Sequence, residues 1–182
     1  MHSITTQPVL AHGRYTLDPD HSTVGFSLKH MVVSTFRGGF DRFDAWLVSD
    51  DSGVRIEGTV EVASVAVKNK DLAEHLQSPD FFDAATHPEL RFVADRIRRN
   101  GDEVVVDGEL TLRGTTLPVT ATGTISDPAE DAYGDERMGI ELVAVIDRRA
   151  YGLDWNEALP KGGFALANDV KLRATLALVK EA

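Results

Sequence analysis

The stretch Thr116-Leu117-Pro118-Val119-Thr120-Ala121-Thr122-Gly123-Thr124-Ile125 alternates apolar and polar residues almost without a break. Successive side chains of a strand point to opposite faces, so Leu117, Val119, Ala121 and Ile125 share one face while the threonines share the other. Working outward, the same period of two runs through Val104, Val106, Gly108, Leu110 and Leu112 on one side, and through Met138, Ile140, Leu142, Ala144 and Ile146 on the other. It returns in Val24, Phe26, Leu28 and His30, in Val54 to Val62, in Leu90 to Ala94, and in Val170 to Leu178. A less regular strand fits residues 40–49, around Phe43, Ala45 and Leu47. One-sided alternation of this kind marks half-buried antiparallel strands, about eight of them, each roughly 9–12 residues long. Turn signals separate them at Asp50-Asp51-Ser52-Gly53, Asn100-Gly101-Asp102, Arg113-Gly114-Thr115 and Asp127-Pro128.

Residues 69–83 alone break towards helix. Asp71 followed by Glu74 reads as a capping box, Leu72, His75 and Leu76 share a face, and Pro79 stops the run. A second irregular stretch, Arg149 to Asn168, is long for a compact domain, and such loops often serve as lids.

The 182 residues carry 42% hydrophobic and 26% charged side chains, as a globular domain does. The formal charge of −10 argues against a whole-surface attraction to nucleic acid or anionic lipid. No cysteine is present, which removes disulfides, thiolate metal sites and cysteine nucleophiles. The longest apolar run, Leu142 to Ile146, is far shorter than the roughly 20 residues of a membrane span. Residues 1–15 lack the pattern of a secretory signal, so a cytoplasmic location is expected.

Eight strands with one apolar face each must bury those faces against something. A sandwich of two sheets or a closed barrel would serve, and the barrel is preferred because it also removes the exposed edges. The expected fold is therefore all-β: an eight-stranded antiparallel barrel, residues 14–182, with a short helical insertion near residues 69–83 and an N-terminal extension over 1–13. The inner faces carry Gly58, Ala94, Gly108, Ala121, Gly123, Ala144 and Ala174. Small residues at that density leave room for a ligand. The alternative is that they only relieve strand bends.

Strand parity nominates the lining: Val24, Phe26 and Leu28 from the first strand, then Val60, Leu110, Ile140, Leu142 and Leu176. His30 stands out as an ionisable side chain in phase with an apolar face. It is either a satisfied core histidine or a contact to a ligand head group. Arg37 follows the first strand near the expected rim, and its planar fork suits a phosphate or carboxylate. Trp155 lies in the long loop, either as a structural anchor or as pocket wall. His21, His75 and His87 lack the spacing of a structural zinc site, so no metal and no cofactor are expected. Catalytic signatures such as a Gly-x-Ser-x-Gly elbow, a phosphate loop or His-Glu-x-x-His are missing from the chain.

Several strings together resemble the YceI-like family. They are His21-Ser22-Thr23-Val24-Gly25-Phe26-Ser27-Leu28-Lys29-His30-Met31 with Ser34-Thr35-Phe36-Arg37-Gly38-Gly39-Phe40; Ser78-Pro79-Asp80-Phe81-Phe82-Asp83 with His87-Pro88; Gly108-Glu109-Leu110-Thr111-Leu112-Arg113-Gly114; and Tyr151-Gly152-Leu153-Asp154-Trp155-Asn156. The likeness runs in order over roughly residues 14–180. It implies a lipocalin-like barrel whose long pocket takes an apolar chain, such as a polyisoprenoid, fatty acid derivative or fatty amide, and a homodimer. The function expected is non-enzymatic binding, transport or storage of that chain. An enzyme acting on a hydrophobic substrate and a filled barrel that binds a partner stay open as alternatives. Strands of roughly 10 residues, tilted by about 40°, predict one tunnel about 25 Å tall.

Overall fold

The structure is a computed structural model and describes residues 9–182. Its strands are β1 (Gly13–His30), β2 (Ser34–Phe40), β3 (Phe43–Asp50), β4 (Gly53–Glu61), β5 (Val65–Ala66), β6 (Glu89–Asn100), β7 (Glu103–Leu112), β8 (Thr115–Ile125), β9 (Ala129–Glu130), β10 (Glu136–Asp147) and β11 (Asp169–Lys180). One helix, α1 (Lys70–Gln77), interrupts them. Strands β1, β3, β4, β6, β7, β8, β10 and β11 follow one another round a closed antiparallel barrel, completed by the pairing of β11 with β1.

Eight staves are written as eleven strands because three staves break, the third being that of β8, which β9 prolongs along β10. The start of β1 pairs with Trp46–Ser49 of β3, whereas Val24–His30 pairs with all of β2, so β2 prolongs the stave of β3. At the break, Asp41 donates its N–H to the Ser64 carbonyl at 3.0 Å and Arg42 donates to Ser64 Oγ at 3.0 Å. β5 prolongs β4 in the same way, setting Val65 and Ala66 against Phe40 and Gly39.

β1 itself bends between Asp18 and Thr23, where its register against β11 shifts. Pro19 has no N–H to give to a ladder there. Side chains replace it: Ser22 Oγ donates to the Asp18 carbonyl at 2.7 Å and accepts from the Ala177 N–H at 2.9 Å. Arg137 bridges Asp18 at 2.6 Å and Asp131 at 2.5 Å. Hydrogen bonds from His21 and Arg137 hold the Asp18 carboxyl down at about 2.

The helix differs from the sequence expectation at its start. Its N-cap is Asn69, whose side-chain oxygen accepts from the N–H groups of Asp71 at 2.9 Å and Leu72 at 3.2 Å. That leaves no capping role for Asp71 with Glu74, because a residue two positions earlier already satisfies the free donors. The helix stops at Gln77, and turns carry the chain to β6. The packed body also reaches back beyond residue 14, where the sequence reading began the barrel. Leu10 is only 2% exposed, and its carbonyl accepts from Ser49 Oγ at 2.9 Å. Residues 1–8 of the expected extension lie outside the described residues.

The interior holds two clusters. One gathers Leu10, Tyr15, Leu47, Val104, Val106, Ile125, Met138, Ile140 and Leu178. The other gathers Phe26, Phe40, Val60, Leu76, Phe81, Leu110, Ile146, Tyr151 and Leu153.

Candidate ligand cavity

Between and within these clusters the barrel is hollow. A cavity of about 130 Å³ occupies the middle, with Ala45, Gly58, Ala121, Ala144 and Ala174 in its wall. A wider one of about 220 Å³ lies towards α1 and the loop after β10. Phe40, Leu90 and Leu172 border both cavities. For scale, an apolar void of about 150 Å³ accommodates a benzene ring.

The small inward residues divide by role. Gly58, Ala121, Ala144 and Ala174 line the middle cavity, so their missing volume is empty space. Gly123 does something else. A Cβ there would collide with the Glu141 carbonyl oxygen, so this glycine permits the close pairing of β8 with β10. The cavity reading therefore holds for four of the seven, while Ala94 packs in the core and Gly108, like Gly123, stands where a Cβ would strike neighbouring backbone.

Of the residues nominated by parity, Val24, Val60, Leu110, Leu142 and Leu176 border the middle cavity. Phe26, Leu28, His30 and Trp155 border the wider one. Ile140 points inward but packs solidly in the first cluster, below the empty space. Arg37 is misplaced by the sequence reading. It pairs with Ser27 on β1 and lies exposed on the outer surface, because β2 alternates in step with β1 and Phe36 and Phe40 take the inward phase.

Aromatic rings partition the wider cavity. Phe26 sits 5.7 Å from Phe40 and 5.9 Å from Phe82, with Phe40 and Phe82 5.7 Å apart. The Phe26 ring lies over Gly38, where a Cβ would come within 2.5 Å of it. Further out, His75 of α1 meets the ring of Phe81 at 4.9 Å and that of Trp155 at 4.9 Å. This second trio ties the helix to the long loop, so Trp155 serves as anchor and wall together. Asn156 closes the loop on itself, donating to the Leu166 carbonyl at 2.8 Å and accepting its N–H at 2.9 Å, and Ala167 pins the loop to β1 by donating to the Lys29 carbonyl at 3.1 Å.

The sequence reading missed Arg148. It is only 4% exposed and borders the wider cavity. Its Nε donates to the Ala167 carbonyl at 2.8 Å, and Nη1 donates to the carbonyls of Leu153 at 2.6 Å and Trp155 at 2.9 Å. No carboxylate stands within ion-pair distance, and Nη2 makes no hydrogen bond among the described residues. Burial lowers its pKa from the ordinary guanidinium value, opposed by the more distant charges of Asp154 and Asp147. The signal was present in the sequence: Arg148 continues the even phase of Ile140, Leu142, Ala144 and Ile146 two residues past the apolar run. The sequence reading ended the strand at Ile146 and did not follow the phase to Arg148, and His30 is not alone in facing the interior. Nearby, the Tyr151 hydroxyl is buried with no hydrogen-bond partner among the described residues, and burial raises its pKa.

Among the described residues no three His, Asp or Glu side chains gather as a metal site would require, and no helix is long and apolar enough to cross a membrane.

Comparison with known proteins places this geometry. The family model described as a YceI-like domain matches residues 15–178. A UPF0312 protein of Staphylococcus aureus strain USA300 is 33% identical over 168 residues, covering 88% of this chain and 94% of that protein. The crystal structure of BcnA from Burkholderia cenocepacia superimposes with a TM-score of 0.76 at 25% identity, over 88% of this chain and 98% of that one. The YCEI protein of Campylobacter jejuni gives 0.70 at 26% identity, over 92% and 98%. A domain from Saccharophagus degradans described as polyisoprenoid-binding gives 0.72 over 93% and 100%, and at 14% identity that likeness shows the fold alone.

Proposed function

Because the chain belongs to the YceI-like family, we propose that it is a non-enzymatic binder and carrier of an apolar chain molecule, a polyisoprenoid or a fatty acid derivative, held in the barrel interior. The observation that carries this reading is the pair of adjoining apolar cavities with one buried arginine at their wide end. A folded protein interior is packed to crystal-like density, with few voids larger than a water molecule. Here the wall of small side chains keeps it empty. The description of a fold neighbour as polyisoprenoid-binding supports the same class of ligand.

Polarity orients the chain. The middle cavity is walled almost wholly by apolar surface and takes the tail, while the wider one brings His30, His75, Arg148 and the carboxylate residue Glu157 to its border and takes the head. An arginine without a carboxylate partner is costly to bury, and three backbone carbonyls offset only part of that cost. A head-group oxygen accepting from Nη2 completes its hydrogen bonding. The ligand is accordingly read as a chain with a carboxylate, phosphate or other acceptor head. The homodimer and the cytoplasmic location anticipated from the sequence belong to the same proposal, and light scattering checks the dimer against the 19.8 kDa chain mass.

Native mass spectrometry of protein purified without detergent, followed by organic extraction, tests the reading. A co-purified chain with an acceptor head is the expected result. Calorimetry with a fatty acid and with the matching hydrocarbon then assigns the head. His30→Ala or Arg148→Gln weakens the fatty acid by about 1–3 kcal/mol and leaves the hydrocarbon unchanged. Arg37→Ala changes neither. No extracted chain and no uptake of either probe would overturn the proposal.

A further inference from the structure

At the rim of the wider cavity the outer surface carries a patch that the interior does not explain. The hairpin tip between β1 and β2 is Met31-Val32-Val33, with Val32 77% and Val33 86% exposed. Met31 and Val32 hold φ of +52° and +66°, a left-handed conformation that a β-branched residue seldom adopts. Phe164, 62% exposed, is brought beside the tip because Met31 donates its N–H to the Ala165 carbonyl at 2.7 Å.

Next to the tip, on the outer face of β1, β2 and β11, lies a shallow groove bordered by Lys29, Arg37, Lys171 and Arg173, with Asp169 as its carboxylate. The register places them together: Ser27 stands between Arg37 and Lys171, and Gly25 opposite Arg173. Lys29, Arg37 and Lys171 make no ion pair among the described residues, and Arg173 reaches only Glu141, at 3.9 Å. Four cations thus face Asp169 in the groove and Glu141 at its edge, on a chain whose formal charge is −10. The net charge predicts repulsion from anionic lipid. The local charge reverses that.

We propose that the Met31–Val33 tip and this cationic groove seat the mouth of the barrel on an anionic bilayer surface. Exposed apolar side chains flanked by lysine and arginine are the composition of an interfacial anchor, with the apolar part entering the head-group boundary and the cations meeting lipid phosphates. Charge also argues against a second copy of this chain as the occupant. A two-fold interface sets a patch against itself, and here it would set cations against cations. The proposal rests on the apolar-chain reading and adds where the chain enters and leaves. Leu28, His30, Ala165 and Leu166 border the wider cavity and adjoin Lys29, Met31 and Phe164, so a seated tip brings the cavity mouth to the lipid.

Vesicle flotation tests this with purified full-length protein, using phosphatidylcholine vesicles with and without phosphatidylglycerol. Binding to the anionic vesicles only is expected, weakening as salt rises. Lys171→Glu exchanges an attractive for a repulsive charge, a change of two units, and lowers partitioning roughly twenty-five-fold, at about fivefold per charge. Val33→Asp abolishes flotation, and thermal melting confirms that each variant is folded. Fatty acid uptake from solution is measured in parallel. Uptake retained in a variant that no longer floats supports docking as a separate step, whereas absent uptake in the parent chain counts against the carrier reading instead. No flotation of the parent chain overturns the docking proposal. So does a dimer that Val33→Asp converts to monomer without affecting flotation, since the tip would then be a protein interface.

Discussion

At one end of the barrel Leu10, Tyr15, Leu47, Val104 and Val106 are almost wholly inaccessible and pack against each other. At the other, Phe26, Leu28, Phe36 and Phe40 face the same way along equally regular strands and surround empty space. Both regions obey one alternation and belong to the same closed barrel. They differ in volume and in lids. The filled end is crossed by Leu10 and fed by aliphatic side chains, whereas the middle section carries Ala45, Gly58, Ala121, Ala144 and Ala174, and the wide end is roofed by α1 and the long loop. The tunnel about 25 Å tall anticipated from strand length is consequently shortened, because Leu10 and Ile140 occupy part of it. Alternation selects the face a side chain takes; the sum of side-chain volumes at each level decides whether that face is a core or a container.

The contrast makes predictions. The largest effect is on stability. Leu47→Ala in the filled end removes contacts that nothing replaces and costs about 3–4 kcal/mol, whereas Leu28→Ala, already beside a cavity, costs about 1 kcal/mol. Urea unfolding measures both, and equal losses would mean that the two ends are packed alike. A change in the other sense comes next. Ala144→Leu places three more carbons in the middle cavity, so the unfolding free energy moves by less than about 1.5 kcal/mol while fatty acid affinity falls about tenfold or more. A loss of stability above 3 kcal/mol with unchanged affinity would show that the chain does not use this cavity.

The smallest effect concerns pH at the bend of β1. Asp18 is held at about 2, below the usual aspartate value of 3.8, by hydrogen bonds from His21 and Arg137. A carboxyl whose folded pKa is depressed stabilises the fold above its unfolded pKa, and loses that contribution as pH falls through the folded one. The window is thus from about pH 4 down to about pH 2. Asp18→Asn should lower the melting temperature slightly at neutral pH and flatten its decline across that window. An unchanged acid limb in the variant would remove Asp18 from the account.

Much of the architecture was legible in the chain because a period of two is a local property. The strands, their inward faces and the strand residues that border the middle cavity follow from it, while the helix was legible from its own apolar face and from Pro79. Three local readings failed, each for a reason that lies outside the segment read. Asn69 caps the helix in place of Asp71 because an N-cap is decided by which side chain reaches the free N–H groups. Arg37 faces out because the phase of β2 is set by pairing with β1 across a hairpin whose tip takes three residues. Arg148 passed unnoticed because its burial depends on the carbonyls of Leu153, Trp155 and Ala167, which only the return of the long loop supplies.

The sequence by itself determined the face of each strand, the all-β class and the small inward residues that make room inside, whereas closure into a barrel rests on the pairing of β11 with β1. Tertiary structure alone decided how that room is divided. Where the staves break, which end is filled and where four separated cations meet depend on residues from different strands arriving at one level of the barrel. Side-chain alternation carries no information about that level, since it repeats every two residues and is blind to the register between strands.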